Sequence, residues 1–237
     1  MGEFASLPLE TADGNVLPHT YYRQDSDPAG LVIILPGAHY GIDGPLNYHL
    51  IHRLRERGWD SLGLMYGFQA AMKGGFAENW LPTLQECRQA IRVSTAARPY
   101  PLLTVVGKSL GSSLLAVLAT DMDELQAARL AHHTPPLAMP SLPEQLAAAT
   151  QPMYLALGSV DRFYDPDQIE ALKASRPILV RVVEGADHGM DVPGDLEATM
   201  RAVQLVVEDT LSFALTGTVE GLAGPTDKPR GRTSGQQ

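Results

Sequence analysis

Five residues, Gly107-Lys108-Ser109-Leu110-Gly111, stand directly between a continuous apolar run, Leu102–Val106, and a segment in which Leu110, Leu114, Val117 and Leu118 recur at helical spacing. The run Leu-Leu-Thr-Val-Val, short and rich in β-branched residues, has the pattern of a strand buried on both faces of a parallel sheet. A strand must therefore become a helix within a few residues. Glycine on both sides of the serine allows that sharp turn without side-chain clashes. The turn lifts the Ser109 hydroxyl out at the end of the sheet. It also sets the Leu110 backbone N–H and the helix N-terminus beside that hydroxyl, where they can stabilise an oxyanion. A tight packing turn with a surface serine is the competing reading, and the strand–turn–helix context argues against it.

The rest of the chain alternates in the same way. Ala5–Thr11 and Val16–Arg23 read as two strands joined at Asp13-Gly14, a hairpin signal. Leu31–Leu35 is a buried strand ended by Pro36-Gly37, and a helix through Leu46, Leu50, Ile51 and Leu54 closes at Gly58. Ser61–Tyr66 reads as a strand and Gly67–Asn79 as a loop. A helix carries Leu84, Cys87, Ile91 and Ser94, and a short strand spans Ala128–His132. Pro135–Pro152 is a proline-rich connection with one helical stretch at Glu144–Ala149. Met153–Leu157 and Ile178–Val183 are the last strands, separated by a helix over Asp167–Ala174. A C-terminal helix carries Met200, Val203, Val207, Thr210, Leu211 and Ala214. Strand–helix alternation after an opening hairpin predicts an α/β fold: a mostly parallel twisted sheet of about eight strands with helices on both faces. One domain is expected over 1–216. The 217–237 segment, rich in Gly, Pro, Thr and Ser, is expected to be a disordered tail.

An unassisted serine is a poor nucleophile near neutrality, so a base is needed. His188, in Gly185-Ala186-Asp187-His188-Gly189 just after the last strand, lies at the sheet end where parallel sheets place their ligands. A base in turn needs a carboxylate to fix its tautomer. Asp161 follows the penultimate strand in Leu157-Gly158-Ser159-Val160-Asp161 and is the candidate. Asp165 and Asp167 in the same loop are rivals, with Asp167 read as the cap of the following helix. A second oxyanion donor should come from Leu35-Pro36-Gly37-Ala38-His39-Tyr40-Gly41, and the Ala38 N–H is the choice. His39, Tyr40, the Gly67–Trp80 segment and His132-His133 are expected to shape the pocket. Lys108, inside the turn, reads as structural. Adjacent histidines on an extended segment point to opposite faces, so His132-His133 do not readily share a metal ion. His49 and His52, three apart on a helix, fit a solvated face better than a metal site. No metal and no cofactor are expected.

The order Ser…Asp…His, with GKSLG, GSVD and GADHG each following a strand, resembles the α/β-hydrolase superfamily over roughly Leu7–Phe213. Within it the chain is similar to the compact dienelactone-hydrolase-like and small serine esterase members. The resemblance implies acyl hydrolysis through an acyl-enzyme, with Ser109, His188 and Asp161 as triad and the Ala38 and Leu110 N–H groups as oxyanion donors. It implies no metal or organic cofactor. Two departures stand out. Pro36-Gly37 occupies a place where His-Gly is frequent, and the nucleophile is serine where dienelactone hydrolases usually carry cysteine. Only Pro135–Pro152 fills the place where many members insert a cap, so a shallow, loop-shaped pocket is expected.

Bulk properties bound the remaining choices. The chain has 237 residues, 44% of them hydrophobic and 19% charged, enough for one self-sufficient core. A single cysteine, Cys87, excludes an internal disulfide and suits a reducing compartment. A formal net charge of −9 disfavours nucleic acid and anionic membranes as partners. The residues up to Leu9 show no signal-peptide pattern, and no apolar run approaches a membrane span. A cytoplasmic enzyme acting on a small acyl substrate is the leading expectation. A peptidase, amidase or acyltransferase using the same triad, or a non-catalytic binding protein of the same fold, are the alternatives.

Overall fold

A computed structural model describes residues 2–222. Eight strands form one sheet: β1 (Glu3–Ala5), β2 (His19–Arg23), β3 (Gly30–Leu35), β4 (Trp59–Leu64), β5 (Leu103–Lys108), β6 (Arg129–His133), β7 (Met153–Gly158) and β8 (Leu179–Val183). Their spatial order is β1-β2-β4-β3-β5-β6-β7-β8. β1 and β2 pair antiparallel, β2 joins β4 antiparallel, and every other pairing is parallel. The helices are α1 (Pro45–Arg55), α2 (Gly67–Ala71), α3 (Trp80–Ala96), α4 (Leu110–Asp121), α5 (Leu142–Ala148), α6 (Pro166–Ser175) and α7 (Leu196–Thr216). None is long and apolar enough to cross a membrane.

The central strands explain why the sheet needs two covering layers. Every residue of β3 is buried, as is every residue of β4 and β7. Apolar side chains thus leave both faces, and each face must be covered. Leu31, Ile33 and Leu35 pack with α3, α4, α5 and α6 on one side. Val32 and Ile34 pack with α1 and α7 on the other.

Several expectations are corrected. The opening hairpin is broken: β1 ends at Ala5, and only an isolated bridge, Glu10 to Val16, forms next to the turn. The Gly67–Asn79 segment opens with helix α2, which its three glycines conceal. Gly67 N–H donates to Glu86 on α3 at 3.0 Å, so a tertiary contact sustains this five-residue helix. The packed domain also runs past residue 216. Gly217 caps α7 in the left-handed region at φ 78°, the conformation glycine adopts most easily. Val219 is buried and Leu222 packs against the α1–α7 layer. The remainder of the expected tail lies outside the described residues.

Candidate active site

All the parallel strands point their C-terminal ends the same way, and the loops leaving β3, β5, β6, β7 and β8 meet there. The turn after β5 is stereochemically demanding. Ser109 sits at φ 52°, ψ −107°, a backbone state that costs a non-glycine residue on the order of 1–3 kcal/mol. Its N–H donates to the His133 carbonyl at 2.9 Å, and its own carbonyl receives the N–H groups of Ser112 and Ser113 at the start of α4. The flanking glycines are required by contact. A Cβ on Gly111 would stand 1.9 Å from the Leu35 carbonyl oxygen, and one on Gly107 would stand 2.6 Å from the Gly111 carbonyl oxygen. Strand β3, the turn and α4 are therefore packed backbone against backbone.

His188 Nε2 lies 2.8 Å from Ser109 Oγ, and its Nδ1 lies 2.7 Å from Asp161 Oδ2. A carboxylate only accepts, so Nδ1 carries the proton and bare Nε2 accepts from the serine hydroxyl. Asp161 is buried and its second oxygen accepts from the Phe163 N–H at 2.9 Å. The Phe163 ring stands edge-on to the imidazole, with centroids 5.1 Å apart. The rivals of Asp161 have other work. Asp165 caps α6 by accepting from the Gln168 N–H at 3.1 Å, which corrects the assignment of that cap to Asp167. Asp167 lies in the first turn of α6.

The loop after β3 brings Ala38 against the same space. Among the described residues, neither the Ala38 N–H nor the Leu110 N–H donates to a protein acceptor, and both residues line the cavity that holds Ser109 and His188. Two residues of α2 and its approach brace this loop. Tyr66 Oη donates to the Pro36 carbonyl, and Gln69 Nε2 donates to the carbonyls of both Gly37 and Ala38, each at 2.9 Å. Fixing those carbonyls fixes the peptide planes that carry the neighbouring N–H groups. Sequence reading gave no signal for Gln69, because the segment reads as a loop.

The cavity has a volume of about 400 Å³. Ala38, Trp80, Leu110, Met139 and Phe163 give it apolar walls, while Arg162 reaches it from the loop that holds Asp161. His39 and Tyr40 line it as expected, as do Phe76 from the segment before α3 and Trp80 at the first position of α3. His132 and His133 do not. His132 packs under α4, with Nδ1 2.7 Å from Ser112 Oγ, and His133 packs under α7, with Nε2 2.9 Å from Thr210 Oγ1. Burial holds both well below the ordinary histidine range, at about 3, so they are neutral core residues. His49 and His52 are exposed on α1, and no cluster of metal-ligating side chains occurs among the described residues.

Lys108 is buried at the same place. Its Nζ donates to Thr134 Oγ1 at 2.5 Å and to the His188 carbonyl at 2.7 Å, and it stands 4.9 Å from the Tyr40 ring centroid. Burial lowers its pKa to about 8, against the opposing pull of Asp161, Asp187 and Asp191.

Residues 29–214 match the model of the alpha/beta hydrolase domain, a span that contains Ala38, Ser109, Asp161 and His188. The chain belongs to this family. Solved structures show the same hydrolase fold. A putative alpha/beta hydrolase of unknown function from Agrobacterium tumefaciens is 19% identical with a TM-score of 0.70, over 95% of this chain and 100% of that one. A serine hydrolase without lid from Xanthomonas campestris is 18% identical with a TM-score of 0.59, over 87% and 94%. A putative dienelactone hydrolase from Klebsiella pneumoniae is 17% identical with a TM-score of 0.61, over 91% and 98%. At these identities the hydrolase likeness is one of fold. No curated protein matches.

Proposed function

We propose that this alpha/beta hydrolase is a serine esterase or thioesterase that acts on a small substrate through an acyl-enzyme on Ser109. The observation that carries the reading is the unbroken hydrogen-bond chain from Ser109 Oγ through His188 to the buried Asp161.

In this reading, Ser109 Oγ attacks the substrate carbonyl carbon as its proton passes to His188 Nε2. Asp161 stabilises the imidazolium and keeps Nδ1 protonated. The carbonyl oxygen gains the negative charge and is held by the Ala38 and Leu110 N–H groups, aided by the N-terminal end of α4. Collapse breaks the bond to the alcohol or thiol, which leaves with the proton from His188. Water then repeats the sequence on the acyl-enzyme and frees the acid and Ser109. The walls contributed by Phe76, Trp80, Leu110, Met139 and Phe163 suit a compact apolar acyl or leaving group.

The deciding experiment pairs turnover of p-nitrophenyl acetate, butyrate and octanoate with fluorophosphonate labelling, on the wild type and Ser109→Ala. Turnover and labelling by the wild type, both lost in Ser109→Ala, support the reading. A folded wild type that neither labels nor turns over rejects it and favours a binding role for the same cavity.

A further inference from the structure

The mechanism above leaves one group at the site unused. Lys108 is almost fully buried, at 1% exposure, and makes no ion pair with a carboxylate among the described residues. Burying an ammonium without a directly paired anion is costly, and an apolar side chain of similar length would fill the space at lower cost. Its partners show what the cation does. Lys108 leaves β5 beside the nucleophile. Thr134 leaves β6, His188 leaves the β8 loop, and Tyr40 belongs to the loop after β3. One ammonium therefore touches three other loops of the site. Thr134 is itself in an unfavourable state, a β-branched residue at φ 43°, with its hydroxyl on Lys108 Nζ.

We infer that Lys108 is a positioning residue: its ammonium, held between the Thr134 hydroxyl and the His188 carbonyl, ties the histidine loop to the nucleophile turn and sets the reach of His188 Nε2 to Ser109 Oγ. This rests on the proposed role of Ser109 and His188. The bond to His188 is to the backbone of the base itself, so no flexible linker separates cause from effect. A displacement of the base by about 1 Å costs roughly a hundredfold in rate.

The charge state of Lys108 supplies a distinctive readout. The groups that face it are Asp161 after β7, Asp187 and Asp191 in the histidine loop, Tyr40 after β3, and His133 on β6. The three carboxylates favour the ammonium, and burial opposes it. The neutral amine forms as pH rises through about 8. It keeps two N–H donors but loses the charge-assisted strength of both bonds and the attraction to the Tyr40 ring, so reactivity falls in part and is not abolished.

The test measures fluorophosphonate labelling rates from pH 6 to 10 for the wild type, Ser109→Ala, Lys108→Met and Thr134→Val, with melting temperatures for each. A wild type that does not label, or a Ser109→Ala that does, rejects the hydrolase reading itself. With that reading intact, Lys108→Met is expected to label roughly tenfold to a hundredfold more slowly, at a melting temperature equal to or above the wild type, and to lack the alkaline decline. Thr134→Val removes an acceptor that favours the ammonium, so its decline should move to lower pH. A folded Lys108→Met with the wild-type rate overturns the inference. If Lys108→Met does not fold, Thr134→Val decides: a shifted decline supports the role, and an unshifted one overturns it.

Discussion

A Cβ on Gly158 would stand 2.1 Å from the carbonyl oxygen of Ala186. That approach joins the loop carrying Asp161 to the loop carrying His188. Val160 N–H donates to the same carbonyl at 3.1 Å, and Gly185 N–H donates to Ser159 Oγ at 2.8 Å. Asp161 and His188, the proposed acid and base, are therefore registered by backbone contact between their loops as well as by their side chains. Gly158→Ala should push the two loops apart, lowering stability by about 1–3 kcal/mol as overpacking does. Its acylation rate at 25 °C should fall by more than the loss of folded protein accounts for. Chemical denaturation alongside single-turnover labelling checks this, and a destabilised variant with full acylation rate would show that the two loops are registered some other way.

Asp161 and Asp165 separate cleanly by what each removal does. Asp161→Asn leaves the shape intact but loses the anion that fixes the His188 tautomer, so kcat should fall about ten-thousand-fold with little change in KM. Asp165→Ala removes only the α6 cap, costing about 1 kcal/mol of stability while kcat is kept. The reverse pattern in steady-state kinetics would assign the acid to Asp165.

Gln69 braces the proposed oxyanion site from behind. Gln69→Leu leaves the carbonyls of Gly37 and Ala38 without their donor, and the Ala38 peptide is then free to rotate. A fall in kcat of roughly tenfold is expected, with KM nearly unchanged, since the oxyanion forms only in the transition state. A KM effect at constant kcat would place Gln69 in substrate binding instead.

His132 and His133 make the fold sensitive to acid. Their pKa values in the folded protein, about 3, lie below the unfolded value near 6.5, so the unfolded chain takes up protons that the folded chain refuses. Their contribution is complete above the unfolded pKa and is lost as pH falls towards the folded one. Between about pH 6 and 4 each histidine should cost about 1.4 kcal/mol per pH unit. Urea denaturation over this range should give a slope that His132→Asn roughly halves, with the asparagine still able to reach Ser112. A slope unchanged in that variant would mean that other groups govern acid unfolding.

The meeting of Ser109, Asp161 and His188 was legible because each lies within a few residues of the C-terminal end of a strand. Parallel strands end together, so Ser109, Asp161 and His188, spread over eighty residues, had to meet. The braces were not legible. Gln69 lies in a segment whose glycines hide a helix made by contacts from α3 and the β3 loop, and local pattern carries no trace of such contacts. Periodicity correctly sent His132 and His133 to opposite faces of β6, but it could not say that α4 and α7 cover those faces so closely that neither ring reaches the cavity. The cap of α6, by contrast, carried a local signal that favours Asp165. Pro166 takes the first position of the helix and leaves Asp165 as the residue before it.

Part of the cavity wall, by contrast, comes from two other segments. Phe76 and Trp80 enter from one, Pro136 and Met139 from the other, and neither supplies a triad residue. The turn at Ser109 admits almost no change, because its glycines touch neighbouring backbone. Within these wall segments Phe76 and Met139 are more than a third exposed, while Trp80 and Leu137 pack against the core. Side chains at Phe76 and Met139 can therefore be exchanged to reshape the cavity without disturbing the backbone packing that holds Ser109.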